Sequence, residues 1–111
     1  REIAPHTTQK IGTGLSVEIP EGYFGAVFAR SGLASKKGLA PANKVGVIDA
    51  DYRGELIVML HNHSSMPQTI AAKERVAQLV IAPVYQADFV EVDELSETVR
   101  GAGGFGSTGT K

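Results

Sequence analysis

At 111 residues and 42% hydrophobic side chains, the chain is long enough for one domain with a modest core. Its formal net charge of −1 gives no general attraction to nucleic acid or an anionic membrane, so any phosphate ligand must be held by locally placed Arg, Lys and backbone N–H groups. Cysteine is absent, which excludes a disulfide framework and thiolate metal sites and suits a reducing cytoplasm, and no apolar run approaches the ~20 residues of a membrane helix.

The opening Arg1-Glu2-Ile3-Ala4-Pro5 has neither an initiator Met nor the apolar core of a signal peptide, so a processed or truncated product of a longer gene is expected. Within residues 9–19, alternation of apolar and polar side chains from Leu15 to Ile19 predicts a half-buried strand. Pro20-Glu21-Gly22 is a turn. Tyr23 to Ala29 reads as a strand packing Phe24, Val27 and Phe28 inward. Arg30 to Gly38 breaks the pattern with small and charged residues, a loop with one helical turn at most. Leu39 to Lys44 is a short extended or irregular connector through Pro41.

Val45 to Ile48 predicts a short strand leading into Asp49-Ala50-Asp51-Tyr52-Arg53-Gly54-Glu55. This turn sets two acidic residues, a tyrosine and an arginine between two apolar runs. A carboxylate at the mouth of an apolar strand can act as a general base when it faces the reacting water. Tyr52 offers a rigid flat face for a ring or sugar, and Arg53 a planar fork of donors for phosphate or carboxylate. Taken alone, Asp49 serves equally as a turn or cap carboxylate.

Glu55 to Asn62 predicts a strand apolar enough to be buried on both faces. Ser64 to Pro67 is a turn and Gln68 to Ala71 a short strand. From Ala71 to Gln78 the apolar spacing admits a helix. Val80-Ile81-Ala82-Pro83-Val84-Tyr85 argues instead for a tight turn at Lys73-Glu74 followed by a strand, since Pro83 would interrupt a helix. Phe89 to Glu94 alternates once more. His61 and His63 fall on one face of a strand; no third ligand is evident and they read as surface residues, as Lys36-Lys37 reads as a solvated loop. Many short strands with punctuating turns predict an all-β barrel or sandwich.

The domain is taken to occupy residues 1–99, with 100–111 as a separate arm. Five glycines between Gly101 and Gly109 leave Phe105 as its one substantial apolar anchor, so it should be mobile when free. Such a tail serves as a linker, but Arg100, Phe105, Ser107 and Thr108 are also the inventory of a flap that closes on a ligand.

Four segments, in order, resemble conserved motifs of the trimeric dUTP pyrophosphatases (dUTPases): Arg30-Ser31-Gly32, Gly46 to Glu55, Glu74-Arg75-Val76-Ala77-Gln78-Leu79, and Arg100 to Gly109. The resemblance implies a jelly-roll-like β-barrel assembled as a homotrimer, with a mobile Gly-rich arm closing over shared sites. It implies hydrolysis of dUTP to dUMP and pyrophosphate, limiting uracil incorporation into DNA and supplying dUMP for dTTP synthesis. Asp49 is then the catalytic base that deprotonates water attacking the α-phosphorus, and Tyr52 lies under the deoxyribose and excludes a 2′-hydroxyl. Asn43, Gly46, Val47 and Ile48 face the uracil, although Asn43 reads equally as a turn residue. Arg30, Ser31, Gly32 and Gln78 meet the phosphates, Arg100 the γ-phosphate, Phe105 the uracil ring, and Gly106, Ser107 and Thr108 the phosphate chain. Mg²⁺ is expected on the substrate phosphates and waters, with no direct protein ligand.

Two departures stand out. Lys73 occupies a position where many members have glycine, and the family's first motif, an Ala-Gly-x-Asp-Leu type segment, would precede Arg1. Two other readings compete. A dCTP deaminase shares the fold but needs a glutamate where this chain has Met59, which cannot shuttle protons. A non-catalytic nucleotide-binding or signalling scaffold would keep the fold and lose turnover.

Overall fold

The computed structural model describes residues 1–104, which form eight short strands and one helix. Strands β1 (Glu2–Ile3) and β7 (Gln68–Thr69) pair as a two-stranded ribbon. Strands β2 (Thr8–Gly12), β6 (Ile57–Asn62) and β4 (Leu39–Pro41) form an antiparallel sheet in the order β2-β6-β4. Strands β5 (Gly46–Ile48), β3 (Tyr23–Phe28) and β8 (Gln78–Pro83) form a second antiparallel sheet in the order β5-β3-β8. The fold is all-β and jelly-roll-like, as expected.

The core lies against the first sheet. Ile3, Leu33, Leu39, Val58, Leu60, Ile70 and Val76 form one buried cluster, joined at its edge by Ile11, Val27 and Ala77. Strand β6 supplies Val58, Leu60 and Asn62 to the buried side, while Ile57, Met59 and His61 face outward. The expectation of burial on both faces is therefore corrected: the strand alternates, because nothing covers its second face. Pro41 is tolerated because β4 is an edge strand.

Four other expectations are revised. Regular pairing begins at Thr8, and Leu15 to Ile19 runs without a strand partner although Ile19 is buried. In β3 the buried positions are Gly25 and Ala26, with Ile19 and Leu79 packed close on Gly25, and Phe28 at the end of the strand is exposed. Arg30 to Gly38 holds a two-turn helix, α1 (Ser31–Lys37), not a single turn. Gly38 ends it in the left-handed region (φ 68°) with its N–H donated to Ala34 and Leu33 carbonyls, and Lys36 and Lys37 lie in the last turn, where cations suit the helix dipole. Finally, Phe89 to Glu94 forms no strand.

The turn before β8 falls where expected. The Glu74 N–H donates to the Ala71 carbonyl (3.2 Å), and Lys73 adopts φ 68°, a conformation that favours glycine. That accounts for the preference for glycine at this position. Beyond β8, residues 84–104 contain no helix or strand and keep Tyr85, Phe89, Val90, Leu95 and Val99 exposed, Phe89 at 97%.

Candidate active site

The sequence that leads out of β5 makes its own platform. The Tyr52 N–H donates to the Asp49 carbonyl (3.1 Å), closing a turn. The Tyr52 hydroxyl donates to the Glu55 carbonyl (2.8 Å), which lays the phenol ring back over Gly54. A Cβ at Gly54 would stand 2.5 Å from that hydroxyl, so only glycine leaves room for the ring. Arg53 is turned inward on the loop: its Nη1 donates to the carbonyls of Ala50 (2.7 Å) and Tyr52 (3.2 Å). Its role here is to staple the turn, and the fork of donors expected for phosphate is partly spent on backbone.

Asp49, Tyr52 and Glu55 line a cavity of about 190 Å³ together with Val47, Ile48 and Ile57. A second cavity of similar size shares Val47, Ile48 and Ile57 and adds Asn43, Gly46, Val27, Pro41, Val58 and Met59. The two form one apolar groove along the edge strand β5, with a carboxylate at one end and an amide at the other. Asn43 is held near Gly46 because a Cβ at that glycine would meet the Asn43 Nδ2 and the Val27 Cβ at 3.3 Å. Met59 lines this groove where a deaminase would need its glutamate.

A different cavity, of about 490 Å³, gathers the other group of expected residues: Arg30, Ser31, Gly32 and Gln78, with Lys36 and Arg75 on its wall. Register explains the convergence. Phe28 at the end of β3 pairs with Gln78 at the start of β8, and the Gln78 Nε2 donates to the Ala29 carbonyl (2.8 Å), so the side chain points beside Arg30. Lys37 is not free to serve as a phosphate ligand. Its Nζ donates to the Thr69 carbonyl (2.8 Å) and to Glu74 Oε2 (3.2 Å). The other Glu74 oxygen accepts the Ala71 N–H (2.9 Å), and these two contacts, the backbone one first, hold the Glu74 carboxyl below its ordinary range.

The chain thus brings together two groups of predicted residues and keeps the groups apart: no side chain lines both the Asp49 groove and the Arg30 cavity. Arg100 lines neither; its guanidinium bonds the Gly103 carbonyl in a local turn. Phe105, Gly106, Ser107 and Thr108 lie outside the described residues. His61 and His63 sit edge to face with centroids 4.6 Å apart, and among the described residues no three His, Asp or Glu side chains converge.

Two polar residues escaped the sequence reading. Asn62 is fully buried, with its amide nitrogen donating to Ile3 and Met66 carbonyls and its oxygen accepting from the Ser64 N–H and hydroxyl. Its only sequence signal was a polar residue on the apolar face of β6. Glu55, given no role from the sequence, lines the same groove as Asp49 and Tyr52, and its carboxylate accepts the Gly14 N–H (2.8 Å).

A family model described as dUTPase matches residues 1–109. A deoxyuridine 5′-triphosphate nucleotidohydrolase from Nautilia profundicola is 56% identical over 107 residues, covering 96% of this chain and 75% of the relative. A Staphylococcus bacteriophage 80alpha dUTPase solved with dUPNHPP superposes with a TM-score of 0.82 at 32% identity, over 99% of this chain and 80% of that one. A mutant dUTPase from phage phi11 of S. aureus, whose structure concerns coordination of a structural Mg(II) ion, gives a TM-score of 0.69 at 28% identity, over 85% and 77% of the two chains.

Proposed function

The chain belongs to the dUTPase family, and its reaction is the hydrolysis of dUTP to dUMP and pyrophosphate; we propose that its residues divide this reaction between two places in the fold. The Asp49 groove takes the nucleoside and the water. Asp49 accepts the proton as water attacks the α-phosphorus, and the electron pair of the broken P–O bond leaves on pyrophosphate. Tyr52 lies beneath the deoxyribose, where its braced ring leaves no space for a 2′-hydroxyl. Gly46, Val47 and Ile48 flank the uracil with edge-strand backbone, and Asn43 supplies an amide that both donates and accepts.

The Arg30 cavity takes the phosphates. Arg30, Ser31, Gly32 and Gln78 present a guanidinium, a hydroxyl, an open backbone and an amide to oxygens that gain charge as pyrophosphate departs. Arg100, Phe105, Gly106, Ser107 and Thr108 complete the enclosure and exclude water.

The observation that carries this reading is the separation of the two cavities within one chain. A dUTP molecule needs base, sugar and phosphate contacts at once, and two cavities with no lining residue in common suit a site in which the groove of one copy meets the cavity of another. The exposed apolar side chains of residues 84–104 supply a surface for that association. The assembly proposed is the homotrimer with shared sites that the resemblance to trimeric dUTPases implies, its closed symmetry ordinary for such oligomers.

Mg²⁺ fits as an ion carried by the substrate. The described residues offer no cluster of three ligands, and Mg²⁺ keeps several waters and binds phosphate oxygens readily. When bound, it neutralises phosphate charge and orients the triphosphate for in-line attack.

The test is pyrophosphate release from dUTP, dTTP, dCTP and UTP with Mg²⁺, beside Asp49→Asn. Turnover of dUTP alone, abolished in the variant, supports the assignment of the base. Unimpaired turnover by Asp49→Asn would overturn it.

A further inference from the structure

We propose that Glu55 is a positioning residue for the nucleoside end of the site, acting through Tyr52; the inference rests on the assignment of Tyr52 to the sugar. Glu55 makes two different contacts with two different parts of itself. Its main-chain carbonyl is the acceptor for the Tyr52 hydroxyl (2.8 Å). Its carboxylate accepts the Gly14 N–H (2.8 Å), reaching across to the segment that follows β2. Anchoring the side chain therefore restrains the peptide unit that seats the tyrosine.

The anchor is built from both sides. Gly14 turns its N–H toward the carboxylate in a left-handed conformation (φ 73°). At Gly12 a Cβ would stand 2.8 Å from Glu55 Oε2, so the carboxylate occupies the space a side chain would fill. Flanking bonds hold the two segments in register: the Thr13 hydroxyl and N–H donate to the Leu56 carbonyl (2.7 and 3.2 Å), and the Leu56 N–H donates to the Leu15 carbonyl (2.8 Å). Glu55 also lines the cavity that holds Asp49 and Tyr52. It stands close enough to shape that cavity, and its main-chain oxygen and Oε2 are each engaged by a protein donor.

Removing the carboxylate frees the Glu55 peptide and lets the Tyr52 ring swing from the sugar position. Glu55→Ala should raise KM for dUTP about three- to tenfold, the scale of one ordinary solvent-exposed hydrogen bond. The preference for dUTP over UTP should fall by a similar factor, with a smaller change in kcat. Glu55→Gln keeps an acceptor oxygen and should recover most of the loss. In a Tyr52→Phe background, where the hydroxyl bond is already gone, Glu55→Ala should have much less effect.

Gly12→Ala offers an independent route, since its Cβ displaces the carboxylate from its seat and should reproduce the shift in KM and selectivity. Circular dichroism melts establish that each variant is folded. Unchanged KM and selectivity in folded Glu55→Ala would overturn the proposal, as would an undiminished Glu55→Ala effect in the Tyr52→Phe background. If Glu55→Ala does not fold, unchanged KM and selectivity in Gly12→Ala would do so. A wild-type protein that fails to turn over dUTP would overturn the functional reading, and this inference with it.

Discussion

The two three-stranded sheets are made of similar residues and put to different uses. The β2-β6-β4 sheet contributes Leu39, Val58 and Leu60 to the buried cluster and ties its one buried amide, Asn62, into four hydrogen bonds. The β5-β3-β8 sheet leaves Tyr23, Phe28, Val47, Val80 and Ile81 exposed. The proposed substrate residues belong to this second sheet and its ends: Gly46–Ile48 and Asp49 at β5, Arg30 just past β3, and Gln78 opening β8. Both sheets have open edges, but the first holds most of the buried cluster and the second leaves more of its apolar side chains at the surface.

The sharpest test of this division changes chemistry without touching the packed sheet. Asp49→Asn should lower kcat for dUTP by about 10²–10⁴-fold, the contribution of a positioned general base, with an unchanged melting temperature. A parallel loss of stability would place Asp49 among the structural residues. The converse variant is Leu60→Ala, which opens a hole in the core. It should cost about 2–5 kcal/mol of stability in denaturant titrations, while the fraction still folded keeps its KM. A change in KM at constant fold would show that the sheets are not separable in this way.

A third variant sharpens the contrast at the exposed surface. Phe89→Ser with Val90→Ser should shift the oligomer toward monomer in sedimentation velocity and reduce turnover per chain at low protein concentration. An unaltered trimer would remove these side chains from the association surface. Asn62→Ala removes the amide donor to the buried Ile3 carbonyl and the acceptor of the Ser64 N–H, at about 1–3 kcal/mol, measurable by chemical denaturation.

The smallest effect expected is electrostatic. The Glu74 carboxyl is held below its ordinary value of 4.5 by the Ala71 N–H and then by Lys37. A depressed carboxyl stabilises the fold fully above its unfolded value and loses that contribution as pH falls through its lower, folded value. Glu74→Gln should therefore lower the melting temperature slightly near neutrality, with the difference from wild type vanishing as pH falls through the folded value. The contribution is small because the pair is well exposed to solvent.

Much of this was legible in the residues. Strand β3, the short β5, the turn at Lys73 and strand β8 follow from alternation and turn chemistry. The three motifs before Arg100 were identified by residue type and order. The errors share one cause. Leu15 to Ile19 and Phe89 to Glu94 alternate like strands yet lack a partner to pair with, and alternation reports the preference of a segment, not the presence of its neighbour. The second turn of α1 was hidden because Ser31, Gly32 and Ser35 are weak helix formers, and the Lys36-Lys37-Gly38 ending went unused as a helix stop.

The sequence by itself determined the family, the all-β architecture and which side chains make up the family motifs, because these depend on residue type, order and local period. Tertiary structure alone decided how those side chains are grouped. Pairing of β3 with both β5 and β8 puts Asp49 in one cavity and Arg30 with Gln78 in another. It is also the meeting of the segment after β2 with the turn after β5 that gives the Glu55 carboxylate its Gly14 partner. Contacts between residues some 40 positions apart depend on register and closure, which no local pattern encodes.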